Sequence, residues 1–327
     1  MRIGLNIPME RTPFLQQRRY VEIAEGLGYG DLWSSEARRL DGLTPLAVGS
    51  VWAPSMRLGT ACVPVQTRGP ATMAMTAAGL AEVAPGRAIL GIGSSSPAIV
   101  RLWNGMSYEK PLRYTRDMIR FLRKALRNEP INEEYESFQV RFYQLNVDLP
   151  EPPKIFVAAL REKMIGLAAR EADGVILNMV SPEDVAKAVE IVRKHDRDVE
   201  IVVRATITPT DRVEEAQAIG RQFAGFYFSV DQYKAHQAWL GRGLEEFHQL
   251  VGEGRREEAM AALPREAVET HWYAGSADAC RERVKAYAAA GVDTLIVSFL
   301  EQVTDPFWAL EALSPHRIFG RQAQAAA

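Results

Sequence analysis

Gly91-Ile92-Gly93-Ser94-Ser95-Ser96-Pro97 carries the densest chemical signal in the chain. It follows an apolar, strand-like run from Arg87, and a Gly-x-Gly turn lets backbone approach a flat or anionic ligand with no Cβ in the way. The three serines then place hydroxyls and N–H groups where a helix would begin, a position that suits anions. A dinucleotide fingerprint needs a third glycine, and position 96 is Ser96. The segment therefore reads as a cofactor edge or as a plain tight turn.

Three other segments have related chemistry. Small residues from Gly59 to Cys62 would let a flat ring lie against backbone, and Arg68 follows where a substrate anion could be met. Val157 to Lys163 joins a strand to a helix, so its amides can point at a phosphate beside the charges of Arg161 and Lys163. Glu36 lies just past a short buried strand ending at Trp33, where a carboxylate could orient a ring or move a proton. Taken alone, Glu36 and Arg68 read better as surface residues. The histidines at 195, 236, 248, 271 and 316 show no HxxxH or HExxH spacing, so no metal site is expected. No GxSxG elbow occurs.

The elements that must position these groups alternate strand and helix. Strands are expected at Ile3–Ile7, Asp31–Trp33, Arg57–Pro64, Arg87–Gly91, Lys154–Val157, Gly174–Leu177, Glu200–Thr206 and Asp293–Ser298. Thr12-Pro13 reads as the N-cap and first residue of a helix, with others at Leu43–Val51, Pro70–Val83, Glu162–Glu171 and Cys280–Ala290. Ser181-Pro182-Glu183-Asp184 starts another, with acids in its first turn. Eight such units predict an α/β fold, a (β/α)8 TIM barrel with insertions after strands four and seven. The first insertion is a hairpin over Tyr135–Asp148. The second is a helical lid over 223–270, with Phe226, Tyr227, Phe228, Tyr233 and Trp239 as pocket walls or as the lid's own core. The whole chain, 1–327, reads as one domain.

Composition excludes several classes. Net charge is −2 over 327 residues and no basic stripe appears, so nucleic acid and anionic membrane are not expected partners. No apolar run reaches the about 18 residues a membrane span needs, and Met1 runs straight into a strand. Cys62 and Cys280 form no CxxC, which fits a reducing, cytoplasmic setting. The Ala-rich end, Gln322 to Ala327, reads as a disordered tail.

In order, the chain carries Trp33-x-x-Glu36, Leu58-Gly59 through Thr67-Arg68-Gly69-Pro70, Pro85-Gly86-Arg87 leading to Leu90-Gly91-Ile92-Gly93-Ser94, Trp103-Asn104-Gly105, and Lys110-Pro111-Leu112 to Asp117. Pro153 to Lys163 and Glu171 to Asn178 complete the series. Together these resemble the bacterial luciferase-like superfamily and, within it, the coenzyme F420-dependent oxidoreductases of the methylene-tetrahydromethanopterin reductase type. The resemblance implies a flavin-like cofactor at the C-terminal mouth of the barrel. It implies a non-proline cis peptide at Ala61-Cys62 behind the ring, with Gly91, Gly93, Ser94, Ser95 and Ser96 beside it. It implies a phosphate held by the backbone of Ala159, Leu160, Arg161, Glu162 and Lys163, with Arg161, Lys163 or Arg38 meeting an acidic tail. Glu36 becomes the catalytic or ring-positioning residue, with Asn178 and Arg68 as further ring or substrate contacts. Ala37 stands where many relatives have His, so a histidine donor is lost there. Ser95-Ser96 stand where sugar-phosphate-oxidising relatives carry Glu, which argues against that substrate class. The expected activity is hydride transfer between coenzyme F420 and a small carbonyl, imine, activated alkene or alcohol. The alternatives are an FMN monooxygenase and a non-catalytic cofactor-binding protein. A homodimer is expected, and the Ala- and Met-rich third helix reads as part of its interface or as ordinary packing against the barrel.

Overall fold

The computed structural model describes residues 1–195 and 197–320. The expected tail, Gln322 to Ala327, lies outside them. Eight parallel strands of a ten-stranded sheet form the barrel: β1 (Arg2–Ile7), β2 (Asp31–Ser34), β3 (Arg57–Thr60), β4 (Ala88–Gly93), β5 (Lys154–Ala158), β6 (Gly174–Asn178), β7 (Glu200–Pro209) and β8 (Thr294–Ser298). Because β7 pairs with both β6 and β8, and β8 pairs with β1, the sheet closes into a barrel. Outside it, each of the first six strands is followed by a helix: α1 (Arg18–Gly26), α2 (Thr44–Trp52), α3 (Pro70–Val83), α4 (Pro111–Ala125), α5 (Glu162–Glu171) and α6 (Pro182–Arg193). This is the (β/α)8 architecture read from the sequence, with α3 and α5 bounded as expected.

Strand alternation sorts the side chains. Ile3, Leu5 and Ile7 of β1 pack against the helices, which leaves Gly4 and Asn6 facing the interior. Trp33, Ile89, Phe156, Ile176, Val202 and Ile296 fill the middle of the barrel. Trp33 fits because Gly4 and Gly59 carry no Cβ: one would stand 2.6 Å and 2.4 Å from its ring, respectively. Below this layer, at the N-terminal ends of the strands, Arg57 bonds Asp31 at 2.7 Å and Glu200 at 2.8 Å. The barrel is thus closed at the bottom by charge and in the middle by apolar packing, and only its upper end is left to bind anything.

Several expected elements are corrected. The Thr12-Pro13 pair does not cap α1: a 3-10 turn at Phe14–Gln17 intervenes, and the Thr12 hydroxyl bonds Glu301 at 3.1 Å. The hairpin lies earlier than Tyr135–Asp148, pairing Ile131–Glu134 with Gln139–Tyr143, and Tyr135 sits in its turn. The helical insertion begins at Val213, not at 223, and comprises α7 (Val213–Phe228), α8 (Asp231–Trp239), α9 (Glu245–Gly252), α10 (Arg256–Ala261) and α11 (Arg265–Val268). It has its own core around Phe228, Phe247 and Val268. An unexpected strand, Trp272–Gly275, runs parallel to the end of β7 and extends that strand to Pro209. Then come α12 (Ala277–Ala289), β8, α13 (Pro306–Ala312) and α14 (Pro315–Phe319). Among the described residues, no helix is long and apolar enough to cross a membrane.

Candidate active site

The expected third strand, Arg57–Pro64, is not continuous. β3 stops at Thr60, the Ala61-Cys62 peptide is cis, and a two-residue strand resumes at Val63–Pro64. The register shows why. Gly59 pairs with Ile89, but Val63 pairs with Ile92, so this side carries one extra residue and bulges. The Thr60 hydroxyl takes over the interrupted ladder, accepting from Gly91 N at 2.9 Å and donating to Gly91 O at 2.7 Å. Gly91 and Gly93 are therefore not a turn, as their spacing suggested; they are the buried end of β4, and the turn starts at Ser94. A Cβ on Gly91 would stand 1.8 Å from the Thr60 carbonyl oxygen, and one on Gly93 would stand 2.7 Å from Cys62 Sγ. With Ala61 and Ala158 beside them, the β3–β4–β5 side of the mouth is nearly bare of side chains. Burial pushes the Cys62 thiol up to about 12, with Glu36 adding to the rise and Arg204 opposing it. Cys62 is a neutral packing group and not a nucleophile.

Glu36 and Arg68, singled out separately in the sequence, form an ion pair through Glu36 Oε2, which also accepts from the Gly42 amide at 3.0 Å. The backbone N–H of Glu36 bonds the Cys62 carbonyl at 3.2 Å, tying this loop to the bulge. A cavity of about 280 Å³ lies beside the pair, lined by Glu36, Arg38, Asp41, Thr67 and Asn104 among others. Glu36 is thus first an anchor for the rim, held in place by a guanidinium. Replacing Glu36 by Gln and Arg68 by Met, singly and together, is expected to give a coupling energy of about 1 kcal/mol in urea denaturation. Additive effects would remove the anchoring role.

Of the predicted phosphate segment, Ala159 spends its amide on the Ile176 carbonyl at 2.9 Å. Arg161 is the N-cap of α5, with Glu162 and Lys163 in the first turn, where amides have no partner within the helix. Their side chains are exposed and Leu160 is half-buried. Ser94, Ser95 and Ser96 are half-buried, and Ser95 holds a left-handed φ of 57°. Tyr108 donates to the Ser95 carbonyl at 3.2 Å, and Gln232 of α8 reaches Tyr108 at 3.4 Å, so the lid is pinned across the serine turn. Arg38 does not reach toward the α5 end. Its guanidinium lies 5.4 Å from the Trp103 ring centre and 5.1 Å from that of Phe226, joining the loop after β2, the turn after β4 and α7.

The opposite side of the mouth is polar, and of its strand residues only Asn178 was legible in the sequence. Asn178 ends β6 and bonds the Met179 amide at 3.0 Å through its own Oδ1. On β7 the inward face continues from Val202 to Arg204 and Thr206, and Thr206 bonds Ser298 of β8 at 2.9 Å. Asn6 Oδ1 and Arg204 Nε are buried without a partner among the described residues. Above them stands Tyr233 of α8, whose phenol is pushed above its usual range by burial and then by Tyr227 and Cys62. Of the five aromatics offered as pocket walls, Phe228 belongs to the lid core with Tyr227 and Tyr233 packed on it, Trp239 packs on the main core, and Phe226 is exposed on Arg38. The signal for Arg204 was present: in the apolar run of β7, period-two alternation puts it on the face of Val202.

Comparison with known proteins agrees with this geometry. The sequence model described as luciferase-like monooxygenase matches residues 1–294. A Mycobacterium tuberculosis protein named as a coenzyme F420-dependent oxidoreductase is 28% identical over 344 aligned residues, covering 93% of this chain and 97% of its own. Among solved structures, the coenzyme F420-dependent tetrahydromethanopterin reductase from Methanopyrus kandleri superposes with a TM-score of 0.78 at 18% identity, covering 96% of this chain and 97% of its own. The oxygenating constituent of 3,6-diketocamphane monooxygenase from Pseudomonas putida, in complex with FMN, does so with a TM-score of 0.67 at 18% identity, covering 96% and 97%. At these identities the two structures speak for the fold.

Proposed function

The chain belongs to the luciferase-like monooxygenase family, and from that membership we propose that it is an oxidoreductase moving hydride between coenzyme F420 and a small organic substrate. The observation that carries this is the side of the mouth nearly bare of side chains. Gly91, Gly93, Ala61 and Ala158 leave a surface on which a flat ring can lie, and a Cβ at either glycine would collide with the bulge that forms it. The name of the Mycobacterium tuberculosis relative, aligned over nearly the whole chain, supports coenzyme F420 as the ring.

The residues present fit such a group. Ala61, Cys62, Gly91 and Gly93 would support the ring, Ser94 to Ser96 would flank it, and the first amides of α5 would meet its phosphate. When bound, coenzyme F420 supplies the hydride chemistry, and the protein supplies place and surroundings. Glu36, fixed by Arg68 and the Gly42 amide, holds the rim against the bulge. Tyr233, held protonated by burial, would be able to offer its phenolic proton to a substrate oxygen at the mouth. The lid helix α8, pinned through Gln232 and Tyr108, excludes water from the mouth.

Fluorescence titration of apo protein with oxidised F420 and with FMN tests the proposal. Binding of F420 is expected to be stronger than that of FMN by at least tenfold, or about 1.4 kcal/mol. FMN is the ligand of the Pseudomonas putida neighbour. Tight FMN binding with no F420 binding would overturn the proposal in favour of a monooxygenase.

A further inference from the structure

We propose that Arg204 is the receptor for a carboxylate on the substrate, so that the enzyme acts on small organic acids. This rests on the cofactor reading above, which assigns the bare side of the mouth to the ring and leaves the polar side to the substrate.

Arg204 follows Val202 on the inward face of β7 and pairs across the ladder with Asn178 of β6. Three other partly buried arginines are compensated: Arg57 by Asp31 and Glu200, Arg68 by Glu36, Arg242 by Asp184; Arg221, on α7 of the lid, shares the unpartnered Nε but is not on the inward face of a barrel strand. Among the described residues, Arg204 has no such ion pair and its Nε is buried without an acceptor. Three groups that feel its charge are neutral. Cys62 and Tyr233 keep their protons, and buried His271 is held well below its usual value, by burial and then by Arg204 itself.

A buried donor on a charged group without an acceptor is costly, and a ligand that supplies one recovers that cost. The planar guanidinium fork matches two carboxylate oxygens. A neutral carbonyl could accept one bond but would leave the charge uncompensated. A phosphate dianion would call for a second cation beside the guanidinium. Arg204 stands across from Asn178 at the end of β6, one inward position above the sealed layer, so the carboxylate and the reacting carbon would belong to one small molecule.

The test is isothermal titration of the intact chain, with and without oxidised F420, using benzoate and its neutral analogue benzamide as probes. The parent is expected to bind benzoate, and Arg204→Gln to bind it at least tenfold more weakly, a change of about 1.4 kcal/mol. Benzamide binding and F420 affinity should be unchanged. Arg204→Lys, which keeps the charge and loses the fork, should fall between the two and guards against a misfolded Gln variant. Equal benzoate binding by parent and Arg204→Gln, or none by the parent, overturns the proposal. So does a parallel loss of F420 affinity, which would assign Arg204 to the cofactor. If the parent binds benzoate through Arg204 but no F420, the cofactor reading fails and the carboxylate receptor stands.

Discussion

Gly91→Ala is expected to destabilise the protein by about 3–5 kcal/mol and to weaken cofactor binding at least tenfold. The added methyl would lie 1.8 Å from the Thr60 carbonyl oxygen and 2.8 Å from Ile176 Cδ1. Ile176 can turn aside, but Thr60 is backbone and cannot move without giving up both bonds between its hydroxyl and Gly91. Overpacking typically costs about 1–3 kcal/mol, and the two hydrogen bonds add about 1 kcal/mol each. The displaced segment is Thr60–Ala61–Cys62, the floor proposed for the ring, so stability and affinity should fall together. Urea midpoints and F420 titration measure the two effects. Gly79→Ala is the control: it sits inside α3 with nothing within 4 Å of an added Cβ. It should be neutral or more stable by up to about 1 kcal/mol. A Gly91→Ala protein as stable as its parent would show that the bulge is slack.

The same glycine marks the limit of what the sequence made legible. Apolar runs, caps and spacing gave eight strands, both insertions, and the bounds of α3 and α5, because those depend on local periodicity and on Pro70 at a helix start. The glycines were seen, but the reason for them was not. A turn and a strand end packed on a bulge call for the same residues, and only the register of β3 against β4 separates the two. Glu36 and Arg68 were each weak alone, since nothing local says that residues 32 positions apart share an ion pair. Arg204 was passed over because its run reads as a buried strand, and the inward direction of one arginine appears only once Val202 is placed in the sealed layer. Thr12 misled because its hydroxyl is taken by Glu301, from the far end of the chain.

Arg57→Met is expected to destabilise the barrel by about 3–5 kcal/mol at pH 7, and by clearly less near pH 4. Arg57 opens β3 at the closed end of the barrel. It bonds Asp31 at 2.8 Å and 2.7 Å and Glu200 at 2.9 Å and 2.8 Å, and it reaches the Thr294 hydroxyl at 3.1 Å. Asp31 is fully buried and keeps only Arg2, at 3.0 Å, once Arg57 is gone. Methionine fills similar volume, so the loss is electrostatic and not a cavity. The pH dependence follows from Glu200. Burial pushes its carboxyl up, but the Arg57 bonds and charge, with Thr294, outweigh burial and hold it below its usual value. A group lowered on folding contributes stability above its unfolded pKa of about 4.3 and loses it as pH falls through the folded value. In the parent, that contribution is intact at pH 7 and declines in acid. In Arg57→Met, burial acts with less opposition, so Glu200 is a liability at pH 7 that protonation relieves. The difference between the two proteins should therefore shrink on acidification, read as converging urea midpoints at pH 7 and pH 4. A gap that stays constant would mean that Arg57 acts by packing its stem and not by its charge.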